Sequence, residues 1–366
     1  MIRLLTTLFL AIGMTLGLGE ASLAQPSQPA SSGPEATDGD FTIPNFRFHT
    51  GETLPALRMH YTTVGKPIRD AHGHVTNAVL IMHGTGGWGR VLIRPEFSGV
   101  LFSPGGLLDA QRYFIILPDD VGHGKSSKPS DGLRAHFPHY DYDDMVAAEY
   151  RLVTDGLHVD HLRLVMGTSM GCMHTFLWGE QHPDMMDALM PLACLPVPIA
   201  GRNRLWRAMV VDAITHDPAW KGGDYTEEPR EALRTAEDLT IIAGSAPLVM
   251  QKTLPTHEAA EKYLDDRLAA YAKTDDANDI LYYVNSSRDY DASNLEAIKV
   301  PVMWINSADD FINPPELGIA QEQVKRIKHG QFVLIPIGPE TRGHGTHTMA
   351  AVWKDYLAAL LKETER

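Results

Sequence analysis

The sequence predicts an α/β protein with a mainly parallel sheet, helices on both faces and a helical insertion. Three observations carry this. Short continuous apolar runs alternate with helical patterns, as fully buried parallel strands and their crossovers do. The length of 366 residues suits one large α/β domain with an insertion. The stretch at about 195–295 is dominated by helical spacing and charge, with no strand pattern.

In chain order, Leu57–Val64 reads as the first strand. Ala78–Met82 and Tyr113–Leu117 follow as buried strands. Asp144–Leu157 has helical spacing through Met145, Ala148, Leu152, Val153 and Leu157. Leu162–Met166 is a strand, Met170–Gln181 a helix and Ala188–Ala193 a strand. Val302–Ile305 and Phe332–Ile335 are the last strands, and Thr348–Leu361 closes the chain as an amphipathic helix. With 44% hydrophobic and 21% charged residues, wholesale disorder and collagen-like or disulfide-scaffold chains are excluded. The net charge of −14 (32 basic against 46 acidic residues) repels phosphate backbones, so nucleic acid is not an expected partner.

Arg3 precedes the apolar run Leu4–Leu18, and small residues stand at Ser22 and Ala24. This predicts a signal peptide over 1–24, removed before Gln25. The run is shorter than the roughly 20 residues that a membrane-spanning helix needs. A periplasmic or secreted protein is expected, off the membrane once the signal is cut. Gln25–Asp40 is rich in Pro, Ser, Gly and acid, and reads as a disordered linker. The folded domain is expected over 41–366. Cys172 and Cys194 are the only cysteines; an oxidising compartment permits a disulfide, and two buried thiols fit equally well.

Chemistry concentrates at strand ends. Gly167-Thr168-Ser169-Met170-Gly171 joins a predicted strand to a predicted helix, the context of a nucleophile elbow. A serine there needs a base and an orienting acid. Asp309 and Asp310 compete for the acid after the strand Val302–Ile305. His344, between two glycines after the last strand, is the expected base, and His347 a capping or packing residue. The pair forms H-x-x-H without a matching third ligand, so no metal is expected. The oxyanion donors are expected at the Met170 N–H and in the loop His83-Gly84-Thr85-Gly86-Gly87, at Thr85 or else Gly86. That loop lacks the Gly-Lys-Ser/Thr ending of a phosphate loop. The turn Asp119–Gly124, with His83 and His123, is expected to be structural. No cofactor is expected.

At these residues the chain resembles the α/β-hydrolase superfamily, and more closely its homoserine O-acetyltransferase (MetX-like) branch. The passages that carry the resemblance are FRFHTGETLPALRMHYTTVGKP, NAVLIMHGTGG, RYFIILPDDVG, GTSMGCMHTFLWGEQHPD, DPAWKGGDY and DDANDILYYVNSSRDYD. It implies an α/β-hydrolase fold with a helical lid, a nucleophile at Ser169, an acid at Asp310 and a base at His344. Asp310 stands four residues before Pro314, as the acid does in the family. A homodimer through the insertion is also implied. The departures are specific. The elbow reads Gly-Thr-Ser-Met-Gly-Cys where the branch has Gly-Gly-Ser-Met-Gly-Gly, and the loop His-Gly-Thr-Gly-Gly replaces His-Ala-Leu-Thr-Gly. Glu237 or Asp238 falls where the branch has an arginine for the substrate carboxylate. Export, too, separates the chain from a cytoplasmic acyl-CoA-dependent step. The expected activity is therefore hydrolysis of a small-molecule ester through an acyl-enzyme. Acyl transfer is the first rival, and a non-catalytic binding protein on the same scaffold is the second.

Overall fold

The short apolar runs become the centre of one sheet in the computed structural model, which describes residues 35–365. Its strands are β1 (Ala36–Arg47), β2 (Thr53–Val64), β3 (Ala78–Met82), β4 (Phe114–Pro118), β5 (Leu164–Thr168), β6 (Leu189–Leu192), β7 (Val302–Ser307) and β8 (Gly330–Ile335). Their order is β1-β2-β4-β3-β5-β6-β7-β8. β1 pairs with β2, and β2 with β4, in antiparallel fashion; every pairing from β4 onward is parallel.

Period-two alternation explains why the central runs are apolar throughout. Ala78, Leu80 and Met82 of β3 enter the core on one face, while Val79 and Ile81 enter the core on the other. The first face is covered by α2 (Tyr142–Arg151) and α3 (Met170–Gln181), after the short α1 (Ser98–Leu101) in chain order. α2 starts on a reciprocal cap, in which Asp141 accepts from the Asp144 N–H and the Asp144 carboxylate accepts in return.

Five helices separate β6 from β7: α4 (Gly201–His216), α5 (Arg230–Gly244), α6 (Pro247–Thr253), α7 (His257–Tyr271) and α8 (Ala277–Asn285). Among the described residues this insertion contains no strand, as expected. It has its own core of Val210, Ile214, Tyr225, Leu233, Ile280 and Val284. The passages DPAWKGGDY and DDANDILYY interlock in it. Asn278 accepts from the Trp220 indole at 2.9 Å and donates to the Gly223 carbonyl at 2.9 Å. The chain ends with α9 (Ile319–Gln323), β8 and α10 (Ala350–Glu363); α10 and α1 pack on the second face of the sheet. No described helix is long and apolar enough to cross a membrane.

Two expectations are corrected. β1 carries no strand pattern, and its first five residues, Ala36–Asp40, fall in the expected linker, yet they pair with Val64–His60 of β2. The strand lies at the sheet edge with mostly exposed side chains, so backbone pairing and not apolar content defines it. The expected signal peptide (1–24) and the rest of the linker (25–34) lie outside the described residues. Cys172 of α3 and Cys194 after β6 form a disulfide, settling the alternative left open above.

Closing a loop with a sequence separation of 22, this bond should contribute about 3 kcal/mol. The Cys172→Ser/Cys194→Ser protein should melt several degrees lower, and dithiothreitol should lower the melting point of the parent only; equal melting points would contradict this. A second prediction concerns the insertion. Burial first, and then repulsion from Asp275, push Glu237 up from 4.5 to about 8. The folded state therefore holds a proton that the unfolded chain has lost, and stability falls as pH rises from about 4.5 through 8. Melting points between pH 6 and 9 should drop in the parent and drop less in Glu237→Gln.

Candidate active site

Ser169 sits at the tip of the turn from β5 into α3, with φ 56° and ψ −106°. An L-residue rarely adopts this backbone, and it is the geometry of a sharp strand-to-helix reversal. The two flanking glycines are required by close approach. A Cβ on Gly167 would lie 2.0 Å from the Gly171 oxygen, and one on Gly171 would lie 2.4 Å from the Met82 oxygen. The Ser169 N–H donates to the Leu192 carbonyl of β6 at 2.8 Å, which fixes the tip from the neighbouring strand.

β7 and β8 deliver the partners. His344 Nε2 stands 2.7 Å from the Ser169 Oγ, and its Nδ1 stands 2.9 Å from Asp310 Oδ2. A carboxylate only accepts, so Nδ1 carries the proton and Nε2 accepts from the serine hydroxyl. The three residues form one relay, buried to within 9% exposure at each member. Both ring nitrogens of His344 are engaged, which leaves the H-x-x-H pair no free donor there for a metal. His347 packs edge-on against His344 at 5.2 Å, as a packing residue. Burial, and then the adjacent His344, push it down to about 3, so it stays neutral.

The two aspartates divide their tasks. Asp310 faces the imidazole. It also accepts from the Ile312 N–H at 2.8 Å, the Asn313 N–H at 3.2 Å and the Asn313 side-chain amide at 2.9 Å. Burial alone would raise its pKa; the His344 charge and these donors outweigh burial and hold it below the ordinary value. Asp309 turns away and holds the histidine loop, accepting from Thr341 Oγ1 at 2.8 Å and the Gly343 N–H at 3.0 Å. Sequence reasoning missed Asn313, whose amide also donates to the Ala193 carbonyl at 3.0 Å and so ties the acid to β6.

The two segments that carry the expected oxyanion donors meet at the serine. Met170 opens α3, and the Gly84 Cα faces the serine so closely that a Cβ there would be 3.2 Å from the Ser169 Cβ. The Gly171 N–H donates to the His83 carbonyl at 2.9 Å, locking the two segments together. The Met170 and Thr85 N–H groups donate to no described residue. Gly86, the alternative to Thr85, takes φ 71° and lies under the Tyr283 hydroxyl. His83 and His123 are buried, their rings 5.0 Å apart. Glu237 is buried in the insertion beside Asp275.

The family model described as "alpha/beta hydrolase fold" matches residues 77–338. The chain belongs to the α/β-hydrolase fold family. It is 28% identical to a probable acyltransferase of Methanothermobacter thermautotrophicus, over 76% of this chain and 84% of that one. It is also 28% identical to a homoserine O-acetyltransferase of Pelobacter propionicus, over 81% and 88% of the two chains. In these relatives it resembles the MetX-like branch, and the protein is an enzyme of the hydrolase and acyltransferase kind. Among solved structures, esterase E22 superposes with a TM-score of 0.78 at 18% identity, covering 89% of this chain and 100% of that one. The homoserine O-acetyltransferase from Bacillus anthracis does so with a TM-score of 0.78 at 20% identity, covering 89% and 97%. Both share the fold.

The division between the aspartates is testable. Asp310→Asn should lower kcat by roughly 10³–10⁴-fold, because the imidazole loses its charged partner, whereas Asp309→Asn should cost only about tenfold through a looser loop. Steady-state kinetics of both variants on one ester checks this, and a reversed order would reassign the acid.

Proposed function

We propose that this enzyme is an exported serine hydrolase that cleaves a small-molecule carboxylic ester through an acyl-enzyme. The Ser169–His344–Asp310 relay is the observation that carries the reading. Ser169 Oγ attacks the ester carbonyl and passes its proton to His344 Nε2. Asp310 holds the ring and stabilises its charged form. The oxyanion is held by the Met170 and Thr85 N–H groups. His344 then returns the proton to the departing alkoxide. In the second half, water gives a proton to His344 and its oxygen attacks the acyl-enzyme. Collapse, with the proton returned from His344 Nε2 to Ser169 Oγ, releases the acid and restores the serine.

Export is supported by the apolar run Leu4–Leu18 and by the pairing of both cysteines, which an oxidising compartment favours. Hydrolysis is favoured by the loop His83-Gly84-Thr85-Gly86-Gly87, which departs from the His-Ala-Leu-Thr-Gly of the MetX-like branch. A second reading, O-acyl transfer as in the MetX-like branch, is favoured by the relatives at 28% identity. It uses the same acyl-enzyme with an alcohol in place of water.

Turnover of a short-chain p-nitrophenyl ester by the chain from Gln25 tests the reading. Ser169→Ala should lose about 10⁶-fold in kcat. Full turnover without the serine would overturn it. Product ratios with and without L-homoserine at a fixed acyl donor separate hydrolysis from transfer.

A further inference from the structure

Beneath the oxyanion loop lies a polar cluster that the ester chemistry does not use. His83 follows β3, Asp120 follows β4, Glu149 lies on α2 and His174 on α3; all four are fully buried. Glu149 accepts from two N–H donors, His174 Nδ1 at 2.7 Å and Trp178 Nε1 at 2.6 Å. Among the described residues, neither Asp120 oxygen accepts from any N–H or hydroxyl donor. Carboxyl oxygens of the two acids lie within 4.8 Å of each other. Two buried carboxyl groups this close do not both ionise, and one keeps a proton. The acid served by two N–H donors is the carboxylate, and the acid without them is the O–H donor. The proton therefore sits on Asp120. Burial, and then the Glu149 charge, act in the same direction, raising Asp120 well above the carboxylate range.

His83 connects this proton to the reaction. Its Nδ1 lies 2.8 Å from the Gly84 carbonyl, and its Nε2 lies 3.1 Å from the Asp120 N–H. A carbonyl only accepts and an N–H only donates, so Nδ1 is protonated and Nε2 is bare. This neutral tautomer ties the exit of β4 to the loop that bears Thr85. Asp120 Oδ2 lies 3.6 Å from the same Nε2. An ionised Asp120 would draw a proton onto Nε2 and turn that acceptor into a donor, breaking the contact with the Asp120 N–H.

We propose that Asp120, kept protonated by Glu149, is a positioning residue for the oxyanion loop: it keeps His83 neutral and so holds the Thr85 N–H at Ser169. This rests on the serine-hydrolase reading. The titratable groups that face Asp120 are Glu149 and Tyr142 from α2, His174 from α3, and His83; the His123 ring lies beyond His83. Asp120, Glu149 and His174 could also be read as a ligand set for a metal ion, since their donor atoms lie within 4.8 Å of one another. The His174 Nδ1–H is already engaged by Glu149, which favours the proton.

Glu149→Gln tests the proposal. Its amide oxygen can serve only one of Trp178 and His174, and loss of the Glu149 charge removes the repulsion that keeps the proton on Asp120, so Asp120 ionises more readily. At pH 8, kcat on the short-chain ester should fall about tenfold with KM within about twofold, a part of what a lost oxyanion donor costs. The ¹⁵N signals of His83 should show both ring nitrogens protonated. In Asp120→Asn/Glu149→Gln no carboxylate remains to charge His83, so kcat should recover to within about threefold of the parent and the neutral tautomer should return. A merely structural role predicts the reverse, with the double variant no better than the single one at equal melting points. An unchanged His83 spectrum in Glu149→Gln, or no rescue, overturns the proposal. If Glu149→Gln does not fold, the ¹³C carboxyl signal of Asp120 in the parent decides: ionised at pH 7, or shifted by bound metal, overturns it. The NMR readouts need no turnover, so an enzyme inert toward esters would sink the hydrolase reading and leave them standing.

Discussion

The backbone of Ser169 is the constraint on which the site depends. Its φ of 56° and ψ of −106° cost roughly 1–3 kcal/mol for a residue with a side chain. The surroundings hold it there from two sides. Leu192 of β6 accepts its N–H, and His83 after β3 accepts the N–H of Gly171, two residues on. Gly167 and Gly171 let the backbones of the turn and of β3 close to distances that no Cβ would tolerate. The Cys172–Cys194 bond adds a covalent tie from the same helix to the exit of β6. The nucleophile is thus aimed by its neighbours and not by its own preference.

The parallel arrangement of β3 to β8 then does the assembly. Strands that run in the same direction release their loops at one end, so residues far apart in sequence meet there. β7 and β8 deliver Asp310 and His344 in this way. Their loops are joined by Asp309, which takes the Gly343 N–H beside the histidine. Asn313 performs the matching task for Asp310 by reaching back to Ala193. The relay is fixed at both outer members, and Ser169 meets a base that is already oriented.

Much of this was legible in the sequence, for identifiable reasons. Parallel strands are buried on both faces, so each left an apolar run, and the elbow left its pair of glycines. β1 left no such mark, because an edge strand is defined by backbone pairing with β2. The two cysteines, 22 residues apart, could be free or paired until β6 and α3 were seen side by side. Asp309 and Asp310 are adjacent and alike in type; only the family spacing to Pro314 pointed to Asp310, which in the structure faces His344. His83 and Asp120 stand in turns that the sequence marks, but nothing in it joins them to Glu149 and His174. The four come from separate elements, and none of their spacings matches a familiar pattern.

Asp310 and Asp120 show why residue type alone could not assign roles. Both are buried carboxyl groups at the exits of strands, and burial pushes both toward the neutral form. Asp310 meets two backbone N–H groups, a side-chain amide and an imidazole N–H, and these donors hold it ionised. Asp120 meets another carboxylate and no N–H or hydroxyl donor that its oxygens could accept from, and it keeps its proton. Each state suits the histidine beside it. An imidazole that must become charged during turnover needs an anion next to it, as His344 has. An imidazole that must stay neutral to hold a loop needs that anion absent, as His83 has. The opposite protonation of two aspartates is therefore what lets two histidines in one site do different work.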